Sequence, residues 1–126
     1  MKRIIDASAL LAYLQGERGA EAAKKYCIEG VMSAVNLSEV FQKAIPHKGT
    51  AIVQAIIQQA AIEIVPFSKD QARVAAELHQ KTAGKGISFA DRACLSLGVQ
   101  LELPVVTADR QWKEVDAGVE LIFFRS

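Results

Sequence analysis

Arg3-Ile4-Ile5-Asp6-Ala7-Ser8-Ala9-Leu10-Leu11-Ala12 opens the chain with three signals in ten residues. Arg3-Ile4-Ile5 is a short apolar run without alternation, the pattern of a strand covered on both faces. Asp6 ends it. From Ser8 to Gln15 the leucines at 10, 11 and 14 fall on one face of a helix, which Gly16 stops. A buried strand, an acid at its carboxyl end and an immediate helix are the start of an α/β unit.

The same order recurs along the chain. Spacing predicts a helix over Ala20–Glu29 closed by Gly30, a strand at Val31-Met32-Ser33, and a helix over Asn36–Ala44 followed by Pro46 and Gly49. Another helix is predicted over Thr50–Ala61. Glu63-Ile64-Val65-Pro66-Phe67 is a strand that the proline curtails. Lys69–Ala83 is amphipathic, with Ala72, Ala75, Ala76 and Leu78 inward, and Gly84-Lys85-Gly86 breaks it. Ser88–Leu101 is a helix, Pro104–Thr107 a strand and Val119–Phe124 the last strand. Strands alternating with helices predict a three-layer α/β/α fold with a mostly parallel central sheet. Right-handed crossovers then bring every strand's carboxyl end to one edge, where ligands of open α/β sheets bind.

Length and composition set the outer bounds. A chain of 126 residues and 13.7 kDa is expected to form one domain spanning residues 1–126. Hydrophobic residues make up 51% and charged residues 23%, which argues against general disorder. Fifteen basic against fourteen acidic residues leave a net charge of +1, so no global field draws nucleic acid or an anionic membrane. Cys27 and Cys94 are too few for a disulfide framework and sit in apolar helical patterns, as free thiols of a cytoplasmic protein would. No apolar run has the length of a membrane span, and Asp6 interrupts the one stretch that resembles a signal sequence.

The acids are placed more tellingly than they are counted. Asp6 ends the first strand. Glu39 is expected in the first turn of the helix after the second strand, Asp91 in the first turn of the helix beginning near Ser88, and Asp109 just after Val105-Val106-Thr107. Each has a local explanation. Asn36-x-x-Glu39 and Ser88-x-x-Asp91 have capping-box spacing, Asp6 caps a helix directly, and Asp109 caps a short turn reaching Trp112. Together they place four carboxylates at one edge of one sheet. Two carboxylates about 4 Å apart repel by about 4 kcal/mol at an effective dielectric near 20. Such a group either stays partly protonated or binds a cation, and an all-oxygen set selects Mg²⁺ or Mn²⁺. His47 and His79 have no zinc spacing with either cysteine. A hard divalent ion that keeps several waters suits hydrolysis of a phosphodiester, with a nearby carboxylate taking the proton of the water. Ser8 and Thr107 are the hydroxyls placed to orient a ligand or water, or to cap locally.

At these residues the chain resembles the PIN-domain family, and within it the VapC-type toxins of bacterial toxin–antitoxin pairs. Ile4-Ile5-Asp6-Ala7-Ser8-Ala9-Leu10-Leu11-Ala12 resembles the first strand and acidic turn of that family, and Ser33-Ala34-Val35-Asn36-Leu37-Ser38-Glu39-Val40 its second acidic segment. Ile87-Ser88-Phe89-Ala90-Asp91-Arg92-Ala93 is similar to the third. Val106-Thr107-Ala108-Asp109-Arg110-Gln111-Trp112 is similar to the fourth. The four come in the family's order and span nearly the whole chain. The resemblance implies a Mg²⁺- or Mn²⁺-dependent endoribonuclease with Asp6, Glu39, Asp91 and Asp109 as its acidic pocket and metal ligands. Thr107, Ser8 and Asn36 would be its polar neighbours. It also implies a homodimer inhibited by a small antitoxin whose tail covers the pocket. Asp116 is either a further acid at the rim or part of a turn at Asp116-Ala117-Gly118.

RNA beside an acidic pocket needs local cations. Candidates are Lys43, His47, Lys48, Lys81, Lys85, Arg92, Arg110 and Lys113; Arg92 and Arg110 each follow a pocket acid and are equally placed to pair with local carboxylates. An aromatic content of 6% argues against an extended stacking platform. The apolar stretch Ala51–Ile62 is either a pure core helix or an exposed face that meets a partner, and the resemblance implies that it and Leu11-Ala12-Tyr13-Leu14 build the antitoxin groove and dimer contact. Two other readings use the same acids: a PIN-type nuclease of RNA processing without an antitoxin, and a catalytically silent RNA- or protein-binding module. A phospho-accepting receiver fold does not fit, because Val65-Pro66-Phe67-Ser68 stands where its third strand would end in aspartate.

Overall fold

The computed structural model describes residues 1–126. Five strands form one sheet in the order β3-β2-β1-β4-β5, with every neighbouring pair parallel. They are β1 (Ile4–Ile5), β2 (Val31–Ser33), β3 (Glu63–Val65), β4 (Val105–Thr107) and β5 (Leu121–Phe123). The helices are α1 (Ala7–Gln15), α2 (Ala20–Cys27), α3 (Ala34–Ala44), α4 (Thr50–Gln59), α5 (Lys69–Thr82) and α6 (Phe89–Leu101). Short 3₁₀ turns occupy Ile45–His47 and Arg110–Glu114.

Strand residues point alternately to the two faces, and the alternation builds two cores. Ile5, Met32 and Val106 pack with Leu10 and Ala12 of α1, Ala23 of α2, Val40 of α3 and Val53 of α4. Their neighbours Ile4, Val31 and Val105 face the other way, onto Leu78 of α5, Leu95 and Leu97 of α6, and Trp112. Helices therefore cover both sides of the sheet, which is the expected three-layer α/β/α arrangement.

The central strands β1, β2 and β4 are wholly buried, whereas the edge strands β3 and β5 are partly open. β3 ends at Val65, one residue before Pro66, and β5 at Phe123. Pro46 does not simply terminate a segment: it sits inside the 3₁₀ turn that follows α3, where its missing N–H leaves no donor orphaned.

The larger differences from the sequence expectation are at helix starts. α1 begins at Ala7, because the extended Asp6 accepts the Ala9 N–H and caps it directly. α3 begins at Ala34, with Ser33 as its cap through the Val35 N–H at 3.2 Å. The expected capping box at Asn36-x-x-Glu39 therefore does not form, and Glu39 lies in the second turn of α3 rather than the first. The reason is local competition: Ser33 ends β2 in an extended conformation and caps at once, so Asn36 is already helical. Ser88 and Asp91 do form a reciprocal capping box at the start of α6.

Candidate active site

The parallel register aligns the carboxyl ends of the central strands. Ile5 pairs with Val106, so Asp6 and Thr107 leave neighbouring strands side by side. Thr107 Oγ1 donates to Asp6 Oδ2 at 2.5 Å, and Ser8 Oγ donates to Asp6 Oδ1 at 2.6 Å. Each hydroxyl also accepts a backbone N–H from the β4 turn: Ala108 N–H to Ser8 at 3.0 Å and Asp109 N–H to Thr107 at 3.0 Å. Asp6 is thereby fixed by two hydroxyls and the Ala9 amide, and the turn carrying Asp109 is tied to it. Ser8 and Thr107 direct their protons at Asp6, so in this structure they orient the carboxylate rather than a ligand.

The other acids stand on neighbouring elements. Asp91 stands in the first turn of α6, and Asp109 caps the 3₁₀ turn through the Gln111 N–H at 3.0 Å. Glu39 is reached through Asn36, a buried α3 residue whose Nδ2 donates to Glu39 Oε1 at 3.0 Å and to the Ala90 carbonyl of α6 at 3.1 Å. Both Nδ2 partners are pure acceptors, which fixes the orientation of the amide. Asn36 Oδ1 is left buried with no donor.

Burial pushes Asp6 up to about 6, against the pull of the Ser8, Thr107 and Ala9 hydrogen bonds, with the charge of Asp91 adding to the rise. Burial also raises Asp91, opposed by its two Ser88 bonds and reinforced by Asp109. Cys94 lies on α6 beneath the acids. Burial, then Asp6, Asp91 and Glu39, hold its thiol well above the usual range, so it is an inert neutral wall. Asp91 thus acts on Asp6 and Asp109 on Asp91, while the charge of Glu39 is felt at the Cys94 thiol.

No three acidic, histidine or cysteine side chains stand close enough to grip an ion as a closed cage. The donor set nevertheless fits a hard divalent cation: every candidate atom is oxygen, two carboxylates are destabilised as anions, and Asn36 Oδ1 is an acceptor without a donor. A Mg²⁺ held through one or two carboxylates keeps several waters and demands no cage.

Two features of the site escaped sequence reading. The buried indole of Trp112 adjoins Asp91, but its Nε1 proton has no partner in hydrogen-bond geometry. Its place three residues after Asp109 was the available signal. The role of Asn36 as the bridge from α3 to α6 spans 54 positions and left none.

Asp116 accepts the Gly118 N–H at 3.2 Å and so belongs to a turn. The cations also differ from the ion-pair expectation. Arg92 donates to the Ile87 carbonyl at 2.9 Å and Arg110 to the Arg125 carbonyl at 2.7 Å, and neither pairs with an acid. Arg110 and Lys113 lie over the Phe123 ring at 4.7 and 5.4 Å, and Lys85 donates to the Glu114 carbonyl at 3.0 Å. Cys27 and Cys94 are buried and free.

The chain is an α/β/α sandwich that carries Asp6 and Asp109 just past the carboxyl ends of neighbouring parallel strands. The chain belongs to the PIN-domain family, a family of nucleases, whose profile matches residues 3–118. Comparison with curated protein sequences finds no match. Among solved structures the chain is similar to a toxin–antitoxin complex from Klebsiella pneumoniae, at a TM-score of 0.81 and 16% identity over 98% of each chain. DNA-bound VapBC from Salmonella typhimurium gives 0.78 and 16% over 98% of each chain. The sarcin–ricin-loop-cleaving VapC toxin of Mycobacterium tuberculosis gives 0.66 and 15%, over 83% of this chain and 87% of that one. No helix is long and apolar enough to cross a membrane.

Proposed function

We propose that the chain is a single-domain, divalent-metal-dependent endoribonuclease that acts as the toxin of a toxin–antitoxin pair. The observation that carries this reading is Asp6: a buried carboxylate at the carboxyl end of β1, anchored by Ser8 and Thr107 and acted on by the charge of Asp91. Membership of the PIN-domain family supports nuclease chemistry, and the similarity to a toxin described as cleaving the sarcin–ricin loop supports RNA as substrate.

Asp6, Glu39, Asp91 and Asp109 are the residues that would hold Mg²⁺ or Mn²⁺. When bound, the ion supplies a polarised phosphoryl oxygen and an acidified water. The chain's own groups do the rest. Ser8 and Thr107 act as positioning residues, keeping the Asp6 oxygens aimed while leaving their net charge intact. Asn36 holds Glu39 against α6. One of the site carboxylates accepts the proton of the attacking water. Arg92, Arg110 and Lys113 supply positive charge beside the acids for the phosphates of the RNA.

The antitoxin surface is a groove of about 270 Å³ between α1 and α4, lined by Leu11, Leu14, Ala44, Ile52 and Val53 with Lys43 and His47 at its rim. Ile52 is 62% exposed, so α4 is not a pure core helix. Complexes with antitoxins among the structural neighbours support a protein partner here. A homodimer completes the reading.

The test is RNase activity on a mixed structured RNA titrated with Mg²⁺ and Mn²⁺, with Asp6→Asn purified identically. Metal-dependent cutting by the wild type alone is expected. Equal cutting by both proteins, or robust activity in excess chelator, overturns the reading.

A further inference from the structure

Beside the acidic site, a cleft of about 240 Å³ opens between α5 and the first turn of α6. Phe67, Phe89, His79 and Arg92 line it together with three alanines of α5. The Phe67 and Phe89 rings meet edge to face, with centroids 5.5 Å apart at 77°. Phe89 remains 50% exposed although it begins a helix otherwise buried through much of its length. It precedes Asp91 by two residues, and Arg92 follows Asp91 directly.

The rim carries an available cation. Arg92 is oriented through Nη1 on the Ile87 carbonyl, and none of the chain's ion pairs includes it. The cleft is smaller than the roughly 300–1,000 Å³ typical of sites for drug-sized ligands, which suits one planar ring system. Small side chains on the α5 wall let such a ring approach closely. An apolar slot with an exposed aromatic ring and a fixed guanidinium matches a base joined to a phosphate.

We propose that this cleft is a nucleobase subsite: it takes one unpaired base of an RNA whose backbone lies at the acids, with Phe89 contacting the base and Arg92 the adjoining phosphate. This deepens the nuclease reading and rests on it for the presence of RNA. Every base has an aromatic face, so the subsite selects for an unpaired nucleotide rather than for a sequence. It places single-stranded or looped RNA, not a continuous duplex, beside Asp91.

The experiment is a metal-free NMR titration of the full chain, reading the Phe67 and Phe89 ring signals. The probes are 2′-O-methyl pentanucleotides of adenosine and uridine, and a pentamer of equal charge lacking its bases. The base-bearing pentamers are expected to shift both rings, and the base-free pentamer to bind on the order of tenfold more weakly. Phe89→Ala, at a half-exposed position, should lose a similar factor, and Phe89→Trp should retain binding. Equal binding of the base-free pentamer, or unmoved ring signals, overturns the subsite. So do ring shifts elicited only by N-acetyl-tryptophan amide, which assign the cleft to a protein side chain. The titration needs neither metal nor hydrolysis, so it separates two failures. Base-dependent shifts in a protein that cuts no RNA leave the subsite standing and refute the nuclease. Unmoved rings in a protein that cuts RNA refute the subsite alone.

Discussion

Asp6 illustrates how much one residue does by position. Its side chain caps α1, receives two hydroxyl protons and sits almost out of water. The native state holds its proton more tightly than the unfolded chain does, by roughly 2 pH units, worth about 3 kcal/mol. Its ionisation therefore opposes folding. The metal-free protein should lose stability as pH rises from the unfolded value near 4 through about 6, with the full penalty above that. Asp91 shifts in the same direction. Urea denaturation at pH 5.0 and 7.5 in chelator measures the slope, and higher stability at pH 7.5 would contradict it. At pH 7.5 Asp6→Asn should be about 1–2 kcal/mol more stable than the wild type, less than the full penalty because the amide accepts fewer of the existing bonds. Circular dichroism showing an unfolded variant would count against this. Mg²⁺ or Mn²⁺ at a hundredfold excess over its dissociation constant should raise wild-type stability by about 2.7 kcal/mol. Thermal melts of Asp6→Asn should show little of that gain.

The elements are positioned by packing that a few residues control. α3 carries Asn36 and Glu39, and its start is set by the Ser33 cap. Ser33→Ala should cost about 1 kcal/mol. Asn36→Ala removes the clasp from α3 to Ala90 and the donor to Glu39, so activity should fall while the fold persists. Comparing metal affinity by calorimetry with far-ultraviolet circular dichroism distinguishes a misplaced acid from a lost helix. α6 approaches β4 so closely that a Cβ on Gly98 would lie 2.6 Å from Val105 Cγ2 and 3.2 Å from the Leu103 carbonyl. Gly98→Ala, although better for helix propensity, should therefore destabilise by about 1–3 kcal/mol. A denaturation midpoint above the wild type would show that the neighbours yield more easily than this.

For the whole molecule, the two faces of the sheet divide the labour. α1 to α4 cover one face, and the α1–α4 groove leaves Ile52 open to a partner. α5 and α6 cover the other and bring Phe89, Asp91 and Arg92 to the site. If the proposed antitoxin seats in this groove, Ile52→Glu should weaken its binding by at least tenfold, since a charge entering an apolar contact is desolvated without a partner. Its nuclease activity and melting temperature should stay near wild type, because the residue is 62% exposed. Pull-down against the antitoxin alongside the RNase assay checks both halves.

Strand and helix order, the three-layer class and the presence of acids at strand ends were legible in the amino-acid sequence because they depend on interactions a few residues long. Apolar runs, helical spacing and the caps at Asp6, Ser88 and Asp109 all act within about one turn. The start of α3 was misplaced because the sequence reading took Asn36 as its cap, whereas Ser33, three residues earlier, leaves β2 extended and caps at once. Tertiary structure alone decided the rest. Register set Asp6 against Thr107 across 101 positions, so that burial and hydroxyl bonds could act together on one carboxylate. It turned Asn36 into a link between helices, pressed Trp112 against Asp91, and left Ile52 and Phe89 uncovered. Burial, long-range hydrogen bonding and exposure are properties of what the folded chain brings near a residue, and no neighbour in sequence specifies them.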